Sequence, residues 1–273
     1  ENCAELGLSD AYIGYYAITN AGNLYWFADK VDNDNANFGA VNVVLTDNIT
    51  VNTGTMDANT TGARVWNPIG WYTYRNSDTA LFSGTFDGNG KTVSGLYYND
   101  SAKTSRYIGL VACVAEGGTV KHVTLSNSYI SGYRHTGGIA GENYGTITGC
   151  VNNAAIGGEG EQGGIVGENY GTVELCGNTG TITNTWCYSG GIVGYSYGII
   201  RNCWNTGSFS GGTSCAGGIV GTQDDRDSLT ENCWSKGQVT GRDCGSISGW
   251  LNGAATVQNC YSDKDTLVGK RSS

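Results

Sequence analysis

The string Gly-Gly-Ile-hydrophobic-Gly begins at Gly137, Gly163, Gly190 and Gly217, and a degenerate copy, Gly245-Ser246-Ile247-Ser248-Gly249, follows. The steps between copies are 26, 27, 27 and 28 residues. Self-similarity at such a period is the signature of a solenoid, in which each repeat buries its apolar face against the next. Each copy runs on into an aromatic-Gly turn (Tyr144-Gly145, Tyr170-Gly171, Tyr197-Gly198) and a short β-type run such as Thr172-Val173. A cysteine follows, at Cys150, Cys176, Cys203, Cys233 and Cys260, and a third run such as Thr181-Ile182-Thr183 closes the copy.

One repeat therefore reads as three short strands. None is long enough to make a sheet with its sequence neighbours, and no Asn-Gly hairpin joins them antiparallel. Stacked coil on coil, they bury one apolar column per side and pair their backbones in parallel. A propeller blade needs about 40 residues and four strands, and the leucine spacing of a leucine-rich repeat is absent. The expected fold is all-β, a right-handed parallel β-helix of about 26–30 residues per coil. The 45 glycines beside a single proline, Pro68, suit its many tight turns.

Residues 1–106 read as an N-terminal cap with irregular first coils, and 107–273 as regular coils of one continuous solenoid. Thr19 or Asn20 can cap a helix over 19–31 whose Leu24, Phe27, Ala28 and Val31 share one face. Such a helix suits the exposed end of a solenoid core. The last strand, near Thr266–Val268, precedes only five residues, so either a further domain or end-to-end self-association is expected there.

The net charge is −9, from 15 basic and 24 acidic residues. Nucleic acid, anionic membranes and acidic polysaccharides are disfavoured partners, because the summed field repels them. No apolar stretch approaches the roughly 18 residues of a bilayer span, so no membrane insertion is expected. The chain opens at Glu1 as a processed protein would. Ten cysteines without a C-x-x-C pair argue for export rather than for zinc or redox chemistry.

The four Gly-Gly-Ile-(Val/Ala)-Gly strings and the strings Asn202-Cys203-Trp204, Asn232-Cys233-Trp234 and Asn259-Cys260-Tyr261 resemble the GLUG-motif repeats of bacterial cell-surface proteins. The blocks Trp66-Asn67-Pro68-Ile69-Gly70 and Phe82 to Gly90 are similar to segments that precede such repeats. The resemblance covers roughly residues 15–273 and implies an exported, adhesin-like or wall-associated protein. It brings no catalytic residues with it.

The cysteine column reads as an interior ladder of reduced thiols, since coils about 4.8 Å apart fit poorly to the Cβ spacing of a disulfide. Cys187, Cys215 and Cys244 sit in turns instead. A Cys187–Cys215 bridge is the candidate there, with a second from Cys3 to Cys113. If the cysteines face in, then Trp204, Trp234 and Tyr261 face out in register, a strip suited to stacking on sugar rings or on a neighbouring turn. Tyr144, Tyr170 and Tyr197 form a like column, read as turn packing.

Asp224, Asp225 and Asp227 crowd one insertion loop that could hold Ca²⁺ or, with Asp243, supply glycosidase carboxylates. No cofactor is expected apart from that Ca²⁺. Asp32-Asn33-Asp34-Asn35 matches a calcium loop only in part, and His122 and His135 have no Cys or Ser partner nearby in the repeat. These readings converge on an extracellular, non-catalytic, adhesin-like protein with glycan or host-surface ligands. A carbohydrate-active enzyme and a self-assembling filament subunit are the alternatives.

Overall fold

The computed structural model describes residues 6, 8–72, 79–210, 214–224, 227–241, 243–264 and 266–271. It is a parallel β-solenoid. A regular coil carries four strands, one more than the repeat pattern shows: Arg134–Gly137, Ala140–Asn143, Thr146–Thr148 and Val151–Gly158. We call the sheets they join I, II, III and IV in that order. All pairings between them are parallel and step from each coil to the next.

The glycine string turns a corner: Gly137 ends a strand of sheet I, and Ala140-Gly141 open one of sheet II. Gly137, Gly163, Gly190, Gly217 and Gly245 lie in one register column, where the chain leaves sheet I for sheet II. A Cβ at Gly163 would sit 1.9 Å from the Val166 carbonyl oxygen, and one at Gly190 would sit 1.7 Å from that of Val193. Only a residue without a side chain fits so tight a bend. Ile139, Ile165, Ile192, Ile219 and Ile247 follow as a fully buried column. Each isoleucine contributes about 1.5–3 kcal/mol by burial.

Left-handed backbone recurs immediately before each ladder cysteine, at Gly149, Leu175, Asn202, Asn232 and Asn259. Asparagine tolerates that conformation better than most side chains, which explains the Asn-Cys strings. Beyond the cysteine the interior turns polar. The Asn152 amide donates to Asn178 at 2.8 Å, and Asn178 donates to Asn205 at 2.9 Å. A second buried ladder runs from Asn143 to Asn169 at 2.8 Å. Each amide also bonds the backbone two residues on, so these buried polar groups are satisfied.

Helix α1 spans Ala21–Asn33, and the Asn20 side chain caps it by accepting from the Asn23 amide at 3.0 Å. Its buried face is Leu24, Phe27, Ala28 and Val31, as the sequence periodicity indicates. Phe27 meets Phe82 edge-on at 5.9 Å, which joins the helix to the core of the first coils. A four-residue helix, α2 (Asn35–Phe38), follows. Both helices lie between strands Tyr16–Ile18 and Val43–Leu45 of sheet III, where later coils carry strands.

Candidate functional site

The column after the ladder cysteines faces outward. Gly177, Trp204, Trp234 and Tyr261 are in register. The two indoles stack at 5.8 Å with planes 14° apart. Trp234 is 37% exposed and Tyr261 62% exposed, while Trp204 is half-buried. Trp204 leans on the bare backbone of Gly177, where a Cβ would come within 2.2 Å of the indole. Lys236 lies 5.9 Å from the Trp234 ring. The result is a flat aromatic ledge with one cation beside it.

The five ladder cysteines point inward and none bridges another. Each thiol donates to the carbonyl two residues back, at 3.5 Å from Cys150, 3.1 Å from Cys176 and 3.2 Å from Cys203, Cys233 and Cys260. Burial pushes the Cys150, Cys176 and Cys203 thiols well above their ordinary range, so they behave as small apolar groups.

The Cys187–Cys215 bridge is not formed. The register sets Cys187 opposite Ser214 and Cys215 opposite Tyr188, so the two cysteines are one residue out of step. Burial raises the Cys187 thiol to about 12. Cys3 lies outside the described residues, and the buried Cys113 carries a free thiol.

In the insertion loop, Asp225 lies outside the described residues. Asp224 turns back to accept from the Tyr195 hydroxyl at 3.1 Å, and Asp227 is exposed. No cluster of His, Cys, Asp and Glu fit to hold a metal occurs among the described residues. Asp32 accepts from the Asn67 amide at 2.5 Å, and burial raises its carboxyl to about 6. Asp34 accepts from Asn37 at 2.8 Å, so the Asp32 to Asn35 segment braces the helix junction.

Sequence reasoning missed the densest titratable cluster. Where sheets I and II meet, Tyr107, His135 and Tyr188 adopt left-handed backbone, which costs about 1–2 kcal/mol for each such side chain. His135 stacks on Tyr107 at 4.7 Å, and its Nδ1 lies 2.6 Å from a Glu168 carboxylate oxygen and 4.0 Å from Glu161. Glu168 pairs in register with Glu142 on the coil before it. The Tyr144 hydroxyl donates to Glu142 at 2.9 Å, and that of Tyr170 donates to Glu168 at 3.0 Å.

The tyrosines are thus more than turn packing. Tyr144, Tyr170 and Tyr197 stack at 4.8 Å; the first two set their hydroxyls on the carboxylates, and Tyr197 lies beside Tyr195, which takes the carboxylate's place in the register. Burial pushes Glu142 up to about 7, with the Glu168 charge adding to the rise and the Tyr144 hydrogen bond and His135 opposing it. Burial alone would lower His135, but the Glu168 hydrogen bond and the charges of Glu168, Glu161 and Glu142 outweigh it and leave it raised. One oxygen each of Glu142 and Glu161 is buried without a hydrogen-bond partner. The available signal was Gly-Glu-Asn-Tyr-Gly, present at both 141–145 and 167–171 in a chain poor in charge.

These features define a parallel β-solenoid with an aromatic ledge and a carboxylate–histidine seam. No family model matches the chain. Halomucin of Haloquadratum walsbyi is 33% identical over 118 residues, 43% of this chain and 1% of that protein. A protein of Evansella cellulosilytica provisionally named a Gly-rich membrane protein is 32% identical over 89 residues, 32% of this chain and 9% of that one. The chain thus matches a small fraction of the length of either relative. Among solved structures, one from Bacteroides ovatus provisionally named an immunoglobulin A1 protease superposes with a TM-score of 0.61. It is 16% identical, with 97% of this chain and 85% of that one covered, and the likeness concerns the fold alone. No helix among the described residues is long and apolar enough to cross a membrane.

Proposed function

We propose that this chain is part of an extracellular, adhesin-like surface protein that binds glycans on the Trp204–Trp234–Tyr261 ledge. The observation that carries the reading is the exposed, in-register stack of these rings. Coils rise about 4.8 Å each, so the ledge runs roughly 10 Å, room for a short oligosaccharide lying across the rings. Aromatic faces bind the apolar faces of sugars without requiring charge, which suits an acidic protein and a neutral glycan. The names of the two curated relatives, a mucin-like name and a membrane-protein name, agree with a surface location. The likeness to GLUG-motif repeats supports it as well.

The test is a glycan array probed with the intact chain and with a Trp204→Ala/Trp234→Ala variant. Removing both rings should leave the far-ultraviolet circular dichroism unchanged and weaken neutral-glycan retention by about tenfold or more. A variant that still binds, or one that fails to fold, rejects the ledge as the binding surface.

The Glu142–Glu168 pair favours a second reading, a glycosidase. Carboxylates on adjacent coils match the roughly 5 Å spacing of a retaining pair, with the buried Glu142 as proton donor. It replaces the Asp224–Asp227 loop as the carboxylate source. The same array, read for reducing-end release, tests it.

A further inference from the structure

Arg106 and Arg134 stand opposite each other on adjacent coils of sheet I. Like charges directly opposite destabilise a sheet, and the arrangement persists in a chain with only 15 basic residues against 24 acidic. Among the described residues neither guanidinium forms an ion pair; the recorded pairs use Lys103, Lys121, His122, His135 and Arg201. The Nε of Arg134 is buried with no hydrogen-bond partner.

Aromatic rings hold both guanidiniums by their faces. Arg134 lies 4.9 Å from the Trp186 ring and 5.6 Å from that of Tyr133, and Arg106 lies 5.5 Å from Tyr133. A guanidinium stacked this way keeps its N–H edge for a planar anion. Trp186, two coils beyond Arg134, is 52% exposed. The coil between contributes Gly160, where a Cβ would stand 2.5 Å from Arg134 Cγ, so the missing side chain lets the arginine stem cross towards the indole.

The nearby carboxylates are engaged elsewhere. Glu159 pairs with Lys103, Asp100 accepts the Thr104 and Ser105 amides at 2.6 and 2.5 Å, and Glu161 is buried with one oxygen 4.0 Å from His135 Nδ1 and without a hydrogen bond. A cavity of about 200 Å³ adjoins the patch, with Gly132 and Thr185 in its wall beside the Lys103–Glu159 pair and Asp100, since Gly132 precedes Tyr133 and Thr185 precedes Trp186.

We propose that Arg106, Arg134, Tyr133 and Trp186 form a second glycan site that takes a carboxylate-bearing sugar. The carboxylate bridges the two guanidinium edges and the sugar ring lies on Trp186. Fork-to-carboxylate bonds would relieve the repulsion that the bare arginines suffer. The overall charge of −9 opposes long polyanions, so the site suits one terminal acidic residue on an otherwise neutral glycan. The sugar class rests on the glycan-binding reading above, but the residues are different.

Titration calorimetry of the whole chain tests this, using one oligosaccharide ended by galactose, by sialic or glucuronic acid, or by a sulfated galactose. The carboxylated ends should bind about tenfold or more tighter than the neutral end. Arg106→Ala, Arg134→Ala and Trp186→Ala should each remove that preference. Arg134→Lys, which keeps the charge and loses the fork, should remove most of it, and it decides the matter if Arg134→Ala misfolds.

Equal binding of neutral and carboxylated ends overturns the proposal, as does a preference that survives the arginine changes. Equal binding of the sulfated end would show charge without carboxylate geometry and overturn it too. Trp204→Ala/Trp234→Ala should leave the acidic preference intact while it weakens neutral retention about tenfold or more, so the two sites fail separately.

Discussion

Asn178 sits at the centre of a buried amide ladder, and Asn178→Ala measures what that ladder is worth. The side chain is fully buried and makes four hydrogen bonds. It accepts from the Asn152 amide at 2.8 Å and from the Gly180 backbone at 3.2 Å, and it donates to Asn205 at 2.9 Å and to the Gly180 carbonyl at 3.2 Å. Truncation breaks all four at once. Three of the abandoned groups keep a second partner: Asn152 still reaches the Ala154 carbonyl, Asn205 still receives the Gly207 amide, and the Gly180 amide still reaches Asn152. The loss per bond should therefore stay near 1 kcal/mol, short of a full desolvation penalty, and total about 3–4 kcal/mol. Urea unfolding followed by circular dichroism reads this from the midpoint, provided the slope is unchanged. Asn153→Ala, next to the ladder residue Asn152 but exposed, is the control and should cost about 0.5 kcal/mol or less. If the two variants unfold within about 1 kcal/mol of each other, the ladder is a bystander and the reasoning fails.

Leu175 is the only bulky aliphatic side chain in the left-handed column before the cysteines, with φ of 55°, and it is 58% exposed. Leu175→Asn should therefore stabilise the fold by about 1 kcal/mol and raise Tm by roughly 2–4 °C in calorimetry, and an unchanged or lower Tm would contradict the strain assignment. Glu142, whose carboxyl is raised to about 7, stays protonated in the folded chain while its unfolded counterpart ionises, so stability should fall as pH rises from about 4.5 to 7. Asp32, raised to about 6, and the raised His135 act in the same direction. Glu142→Gln should remove up to roughly 3 kcal/mol of that decline and exceed the parent in stability at pH 8, whereas an unaltered pH profile would show that Glu142 is not the group responsible.

What the sequence made legible follows from what repeats in the chain itself. The Gly-Gly-Ile corners recur because every coil meets the same carbonyl oxygens, and one steric demand met five times is visible without a structure. The face of α1 was equally legible, since its period and its Asn20 cap are both local. The strand of sheet I was not, because its buried residue is polar or small (Thr136, Gln162, Ser189, Ala216) and an apolar pattern cannot register it. The seam escaped for a related reason. His135 contacts Glu168, 33 positions away, through a left-handed turn and a register that only coil stacking sets. Cys187 and Cys215 failed in the opposite sense: spacing brought them together and a one-residue offset parted them.

Columns in a parallel solenoid differ in what they contribute, and their contacts show which can be altered without loss of the fold. Each coil pairs its backbone only with its neighbours, so most substitutions act at one or two interfaces. Inside, Asn178 bonds both adjacent coils, and its removal weakens two interfaces in the core. Outside, Trp204 and Trp234 exchange one ring-on-ring contact worth about 0.5–1.5 kcal/mol, and Trp204 rests on a residue with no side chain to leave unpartnered. Arg106 and Arg134 set their ring contacts against a mutual repulsion, which removing either one relieves. Residues whose contacts give the fold little, or cost it, yet stand aligned on consecutive coils are explained by what they meet outside the chain. That argument supports the binding roles proposed for the ledge and the arginine pair. The stability of Arg134→Ala relative to the parent separates the alternatives: equal or greater stability with lost acidic-sugar binding supports the argument, and a loss of more than about 1 kcal/mol would make the arginine a structural residue.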